Sequence, residues 1–237
     1  MTLVTGGAVR VGRVIALALA REGADVAVGY HRSGVAARRT VSELRSLGVR
    51  AVALRADLGK PAEARGLIAA AVRRLGRIDV LVNNAAMFFR TPLATTTPAQ
   101  FDRLIAVNLR GAFFCSQAAA RAMSRRGGRI INIADVGATR AWPGYIAYGL
   151  SKAGVVMLTK GLAAALAPGI QVNAVGPGLV LLPAGFPRES SRRLAARIPM
   201  RRHGAAEDVA AAVTFFATCP DYITGQILYV DGGASAV

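Results

Sequence analysis

Short runs of Val, Ile and Leu alternate along the chain with longer stretches in which apolar residues return every three or four positions. The short runs predict strands at Leu3–Thr5, Asp25–Tyr30, Arg50–Arg55, Ile78–Val82, Arg129–Ala134, Gln171–Val175 and Gln226–Val230. The longer stretches predict helices from the first glycine turn to Glu22, then Val35–Leu47, Pro61–Leu75, Pro98–Arg125, Tyr145–Ala167 and Glu207–Thr218. Because the strands are apolar throughout rather than alternating, both their faces must be covered. With right-handed crossovers this order predicts an α/β fold: a doubly wound parallel sheet flanked by helices on both faces, one domain over residues 1–237. From Leu179 to Pro199 the pattern weakens, so residues 179–199 are expected to form a substrate loop.

Composition narrows the classes. At 53% hydrophobic and 18% charged, 237 residues suit a globular body with a sizeable core. No apolar run reaches the length of a membrane span and the start lacks signal-peptide features, so a cytoplasmic protein without a membrane partner is expected. Cys115 and Cys219 have no pairing or ligand spacing, and with only His31 and His203 no metal site is expected. The net charge of +17 raises a nucleic-acid reading. Of the 30 basic residues, however, all but Lys60, Lys152 and Lys160 are arginines scattered as pairs such as Arg73-Arg74 and Arg201-Arg202. No basic tail or interleaved aromatics accompany them, so no nucleic-acid partner is expected, and the field suits collection of an anionic cofactor.

Between the first strand and helix lies "TGGAVRVG", where Gly6, Gly7 and Gly12 let backbone approach a phosphate at a helix N-terminus. Arg10 sits inside this loop. The second strand ends in "VGYHRSG", with no carboxylate where an NAD-binding fold keeps one for the ribose hydroxyls. His31, Arg32 and Ser33 stand there instead, which points to the 2′-phosphate of NADP(H). Asp57 after the third strand either receives an adenine amino group or caps the following helix. In "YGLSK", Tyr148 and Lys152 are four apart on one helix, so an ammonium can act on a phenol that is otherwise a poor neutral-pH catalyst.

Together with "NNA" at Asn83–Ala85, Asn108 in "VNLRG", "GPG" at Gly176–Gly178 and the closing "YITGQILYVDGG", these motifs resemble the short-chain dehydrogenase/reductase family over essentially the whole length. The resemblance implies a Rossmann-type oxidoreductase, commonly tetrameric, that moves hydride between NAD(P)H and a small substrate. It implies catalytic roles for Asn108, Tyr148 and Lys152. The cofactor is then expected at Gly6, Arg10, Val11, Gly12, His31, Arg32, Ser33, Asp57, Leu58, Asn83, Ala85, Tyr148, Lys152, Pro177 and Gly178.

One departure stands out. The family's active-site serine falls here at Asp135, thirteen residues before Tyr148. An acid beside the tyrosine opposes its ionisation by like-charge repulsion, which suits a site that donates protons. Asp135, the loop Arg10, "YHRS", "INIAD" and "GPGL" resemble the pteridine reductase branch. That resemblance implies NADPH-dependent reduction of a pterin, dihydropterin or dihydrofolate, with protons supplied through Asp135 and Tyr148. Arg10 would bridge cofactor and substrate, and Phe88 would stack on the pterin. Phe88 could equally be a packing residue, as could Trp142, which otherwise walls the pocket. The alternative within the family is carbonyl reduction, for example of a 3-oxoacyl thioester.

Overall fold

Successive strand residues point to opposite sides of a sheet, and here both directions are apolar. In the computed structural model, which describes residues 1–182 and 185–237, seven strands form one parallel sheet. They are β1 (Thr2–Val4), β2 (Val26–Tyr30), β3 (Ala51–Arg55), β4 (Val80–Asn83), β5 (Gly128–Ile133), β6 (Ile170–Pro177) and β7 (Ile227–Val230), in the order β3-β2-β1-β4-β5-β6-β7. The helices are α1 (Arg10–Arg21), α2 (Gly34–Ser46), α3 (Pro61–Leu75), α4 (Pro98–Leu104), α5 (Gly111–Met123), α6 (Ile146–Leu166), α7 (Arg188–Ala196) and α8 (Ala206–Thr218).

Val4, Val28, Val82, Ile131 and Val175 form one core with α1, α2 and α8. Their strand neighbours Leu3, Ala27, Leu81 and Ile130 form the other with α3, α5 and the end of α6. Each fully buried Leu, Ile or Val contributes about 1.5–3 kcal/mol, which is why both faces are closed by helices. The order reverses where β1 meets β4, opening the crevice at the carboxyl ends of the strands where such folds take ligands.

Three expectations are corrected. The helix read as Pro98–Arg125 divides into α4, a π-helical segment Ile105–Arg110, and α5. The residues 179–199 contain α7, whose nine-residue sequence RESSRRLAA is mostly polar and has no fully buried residue; Pro183 and Ala184 of that stretch lie outside the described residues. Finally, α6, at 21 residues, is long and apolar enough to cross a membrane by length and composition, contrary to the reading that no such run exists. Its Tyr148, Ser151, Lys152, Val155, Thr159 and Ala163 are buried along one face, in the manner of a core helix.

Candidate active site

The glycine turn is tied to the end of β4 by one hydroxyl. Thr5 Oγ1 accepts from the N–H groups of Asn84 at 2.9 Å and Ala85 at 3.0 Å, and donates to Val82 O. Gly6 takes φ +63°, and a Cβ at Gly12 would lie 2.3 Å from Gly6 O and 2.4 Å from Asn84 Nδ2. Only glycine therefore allows α1 to start so close to the turn. No side chain caps α1, leaving its first N–H groups available to an anion. Arg10, also at positive φ (+53°), sends Nη2 to Leu181 O at 3.0 Å, linking this turn to the segment after β6.

A cavity of about 760 Å³ opens over the turn. Gly6, Arg10, Val11, Gly12, His31, Arg32, Ser33, Asp57, Leu58 and Ala85 line it. Among the described residues its wall carries Arg10, His31, Arg32, Lys60 and Arg103 against a single carboxylate, Asp57. Asp57 does not cap α3, whose N-cap is Lys60; its Oδ1 accepts from Gly59 N, and its Oδ2 lies 3.9 Å from His31 Nε2. Ser33 begins α2 without making a side-chain cap, so its hydroxyl is not committed to the helix. The Gly12 cradle, uncapped α1 and cationic walls fit a pyrophosphate-bearing nucleotide.

Five residues expected at the cofactor, Asn83, Tyr148, Lys152, Pro177 and Gly178, are not on the lining of this cavity. Asn83 is the last residue of β4 and points into the core, where Nδ2 donates to Ser116 Oγ and Asn132 Oδ1, both at 2.9 Å. The next residue, Asn84, lines the cavity and donates to Thr5 O and Gly6 O. Strand alternation carries the signal for this exchange. Pro177 ends β6 and Gly178 follows it, both outside the cavity's lining; Gly178 N donates to Val230 O, and a Cβ there would lie 2.7 Å from the Asp231 Cβ. Lys60 and Arg103 were not anticipated, because nothing in a linear pattern reports which exposed cations face a cleft.

Beyond Met87, which also lines the cavity, the polar residues expected at the catalytic centre come together. Asn108, in the π-helical segment, accepts from Met87 N at 2.7 Å and donates to Met87 O and Ser151 Oγ, each at 3.0 Å. Ser151 in turn donates to Tyr148 O at 2.7 Å, a supporting role the motif reading missed. Tyr148 Oη donates to Asp135 Oδ2 at 2.8 Å, while Asp135 Oδ1 accepts from Gly137 N at 2.7 Å. Lys152 Nζ donates to Ile133 O at 2.7 Å.

Burial dominates the electrostatics of this cluster. It raises the Asp135 carboxyl above the usual carboxylate range, outweighing the Gly137 N–H, the Tyr148 hydroxyl and Lys152, which pull the other way. Burial, then the neighbouring Asp135, raises Tyr148 well above an ordinary phenol. Lys152 is lowered from 10.5 to about 8 by burial, with Asp135 opposing. Burial thus works against charge on both the tyrosine and the carboxyl beside it.

Aromatic rings frame the cluster. Phe88 is 58% exposed, lies parallel to Tyr145 at 4.7 Å between centroids and meets Tyr148 edge-on at 4.8 Å. Phe89 turns inward with Trp142 to pack around Leu104, Ala147 and Tyr148. Trp142 meets Tyr145 edge-on at 6.1 Å, so a packing role accounts for its position.

Residues 7–235 match the family model described as enoyl-(acyl carrier protein) reductase. The chain belongs to the short-chain dehydrogenase/reductase family. Among its curated relatives, the 3-oxoacyl-[acyl-carrier-protein] reductase FabG of Staphylococcus aureus (strain Mu50) is 39% identical over 236 residues, covering 98% of this chain and 96% of the relative. An L-rhamnose 1-dehydrogenase (NAD(P)(+)) from Sphingomonas sp. is 37% identical over 244 residues, covering 98% and 94%. The crystal structure of acetoin dehydrogenase YohF from Salmonella typhimurium superposes with a TM-score of 0.92 at 34% identity, covering 100% of this chain and 96% of that one. The family expectation therefore stands. The narrower expectation of the pteridine reductase branch finds no support in these names, which favour the carbonyl alternative.

Proposed function

We propose that this short-chain oxidoreductase is an NADPH-dependent reductase of small carbonyl compounds, with 3-oxoacyl thioesters the substrate class its relatives support. The observation that carries a proton-donating reductase is the 2.8 Å contact from Tyr148 Oη to Asp135 Oδ2, beside the buried Lys152. Bound nicotinamide supplies the hydride. Because Gly137 N–H occupies Oδ1, a proton taken up by Asp135 would sit on Oδ2, the oxygen that otherwise accepts from Tyr148 Oη, and the hydrogen bond would then run from carboxyl to phenol. Donated to Tyr148 Oη, that proton releases the phenol's own proton toward the substrate, whose oxygen receives it as hydride reaches the adjacent carbon. Lys152, close to neutral pH in its titration, stabilises charge on the phenol oxygen as the proton leaves.

Preference for NADPH belongs to the same proposal. Arg32 and Ser33, whose hydroxyl is uncommitted, line the cavity where a carboxylate is missing, and suit a 2′-phosphate. So does assembly into a tetramer, since α4, α5 and α6 leave Phe101, Phe113, Leu150 and Met157 exposed.

One observation favours a second substrate class. Asp135 replaces a hydroxyl that would donate to a carbonyl oxygen, and a carboxyl relay suits protonation of the more basic nitrogen of a C=N bond, as in a dihydropterin. The exposed Phe88 face suits such a flat ring. NADPH consumption with acetoacetyl thioester and with dihydropterins, in the native enzyme and in Asp135→Ser, separates the two. Carbonyl reduction should survive in Asp135→Ser within about tenfold, whereas pterin reduction should fall about 100-fold or more. Absence of NADPH consumption with both classes overturns both readings.

A further inference from the structure

The segment that follows β4 passes the catalytic cluster in extended form and is joined to the start of α6 by a parallel bridge between Thr91 and Tyr145. Thr91 N donates to Gly144 O at 2.8 Å. Burial alternates along it: Phe88 is exposed, Phe89 half-buried, Arg90 exposed and Thr91 buried. An extended chain with that alternation sends Phe88 and Arg90 to the same side, about 7 Å apart. Phe88 meets the ring of Tyr148, and Arg90 Nε and Nη2 lie 3.5 Å from where a Cβ on Gly144 would stand, one residue before the Tyr145 ring that Phe88 covers.

Among the described residues the Arg90 guanidinium makes no ion pair or hydrogen bond. A guanidinium that packs beside Gly144, next in sequence to the Tyr145 ring that Phe88 covers, with its donors uncommitted, matches a carboxylate or phosphate.

We propose that Arg90 is a specificity-determining residue that selects substrates whose tail, beyond the bond to be reduced, carries an anionic group. The proposal rests on the reading of the Asp135–Tyr148–Lys152 cluster as a reductase site. It names what the two candidate substrate classes share: dihydrofolate carries carboxylates on its tail, and a coenzyme A thioester carries phosphates. Their neutral counterparts, a dihydropterin without the tail and an acetoacetyl ester of a simple alcohol, carry neither.

The test measures KM and kcat for these four substrates in the native enzyme, Arg90→Gln and Arg90→Lys. Arg90→Gln should raise KM about tenfold or more for the anionic member of the class that is turned over, with kcat little changed. The neutral member should be unaffected, and Arg90→Lys should recover most of the loss. A rise confined to dihydrofolate assigns a carboxylate, and one confined to the thioester assigns a phosphate. An equal change for neutral and anionic members, or none for either, overturns the proposal. If no substrate consumes NADPH, the reductase reading fails, and the same compounds titrated against the fluorescence of Trp142, the single tryptophan, still decide on Arg90. Tighter binding of the anionic compounds that Arg90→Gln abolishes supports it; no such preference overturns it.

Discussion

Lys152 is 3% exposed, and its ammonium is held by Ile133 O with Asp135 nearby. Burial brings its titration down from 10.5 to about 8, so the unfolded chain binds the proton more tightly than the folded one. The sign follows: the folded state is penalised fully below about pH 8, and the penalty is relieved as pH rises toward 10.5. Without cofactor, the native protein should gain on Lys152→Met by something of order 2 kcal/mol between pH 7 and pH 10. Denaturant unfolding at the two pH values measures it; a constant difference between the two proteins counts against a buried, depressed amine. At Tyr148 the expectation concerns rate. Tyr148→Phe removes the hydroxyl that links Asp135 to the substrate in the proposed relay while keeping the ring against Phe88, so kcat should fall about 100-fold or more with the affinity for NADPH retained. Equilibrium titration of the cofactor alongside turnover distinguishes this from a general collapse of the site, which would weaken both.

At the scale of elements, the π-helical segment Ile105–Arg110 shows how a backbone irregularity positions chemistry. It carries Asn108 inward, where one amide side chain holds both the N–H and the C=O of Met87 and also reaches Ser151. The start of the Phe88–Arg90 strap is thereby fixed relative to Tyr148. Asn108→Ala leaves the two Met87 groups to find other partners, which predicts a loss of about 1–3 kcal/mol in stability and a larger fall in turnover than in cofactor affinity. Unfolding midpoints and kinetic constants together check it; a variant with native stability and native turnover shows the clamp to be dispensable. The same element marks where sequence reading stops. The seven strands and most of the helices were legible because strands buried on both faces leave short unbroken apolar runs and amphipathic helices leave a period of 3.6. The pairing of Tyr148 with Lys152 was legible from their spacing on one helix face, whereas Asp135 and Asn108 joined them only through the family resemblance. The π register was not legible, since it alters no period over so few residues, and neither was α7, which is mostly polar and has no fully buried residue. Asn83 and Asn84 were exchanged because only the exact end of β4 decides which one turns inward.

Over the whole molecule, +17 of net charge is spread around a cavity whose described wall holds five basic side chains and one acid, counting His31 among the basic ones. Part of that charge acts through contact, as at Arg32, and part through the summed field, and salt separates the two. Screening shortens from about 10 Å at 0.1 M to about 3 Å at 1 M, so distant arginines lose influence before groups in contact do. Raising ionic strength from about 0.05 M to about 0.5 M should weaken NADPH binding several-fold and NADH binding less, because NADPH brings the additional 2′-phosphate charge into the same field. Arg32→Gln should reduce the NADPH affinity at every salt concentration and bring its salt dependence close to that of NADH. Were the slopes for the two cofactors equal in the native protein, the cations beside Ser33 would not be reading the 2′-phosphate, and cofactor choice would have to come from contacts elsewhere in the cavity.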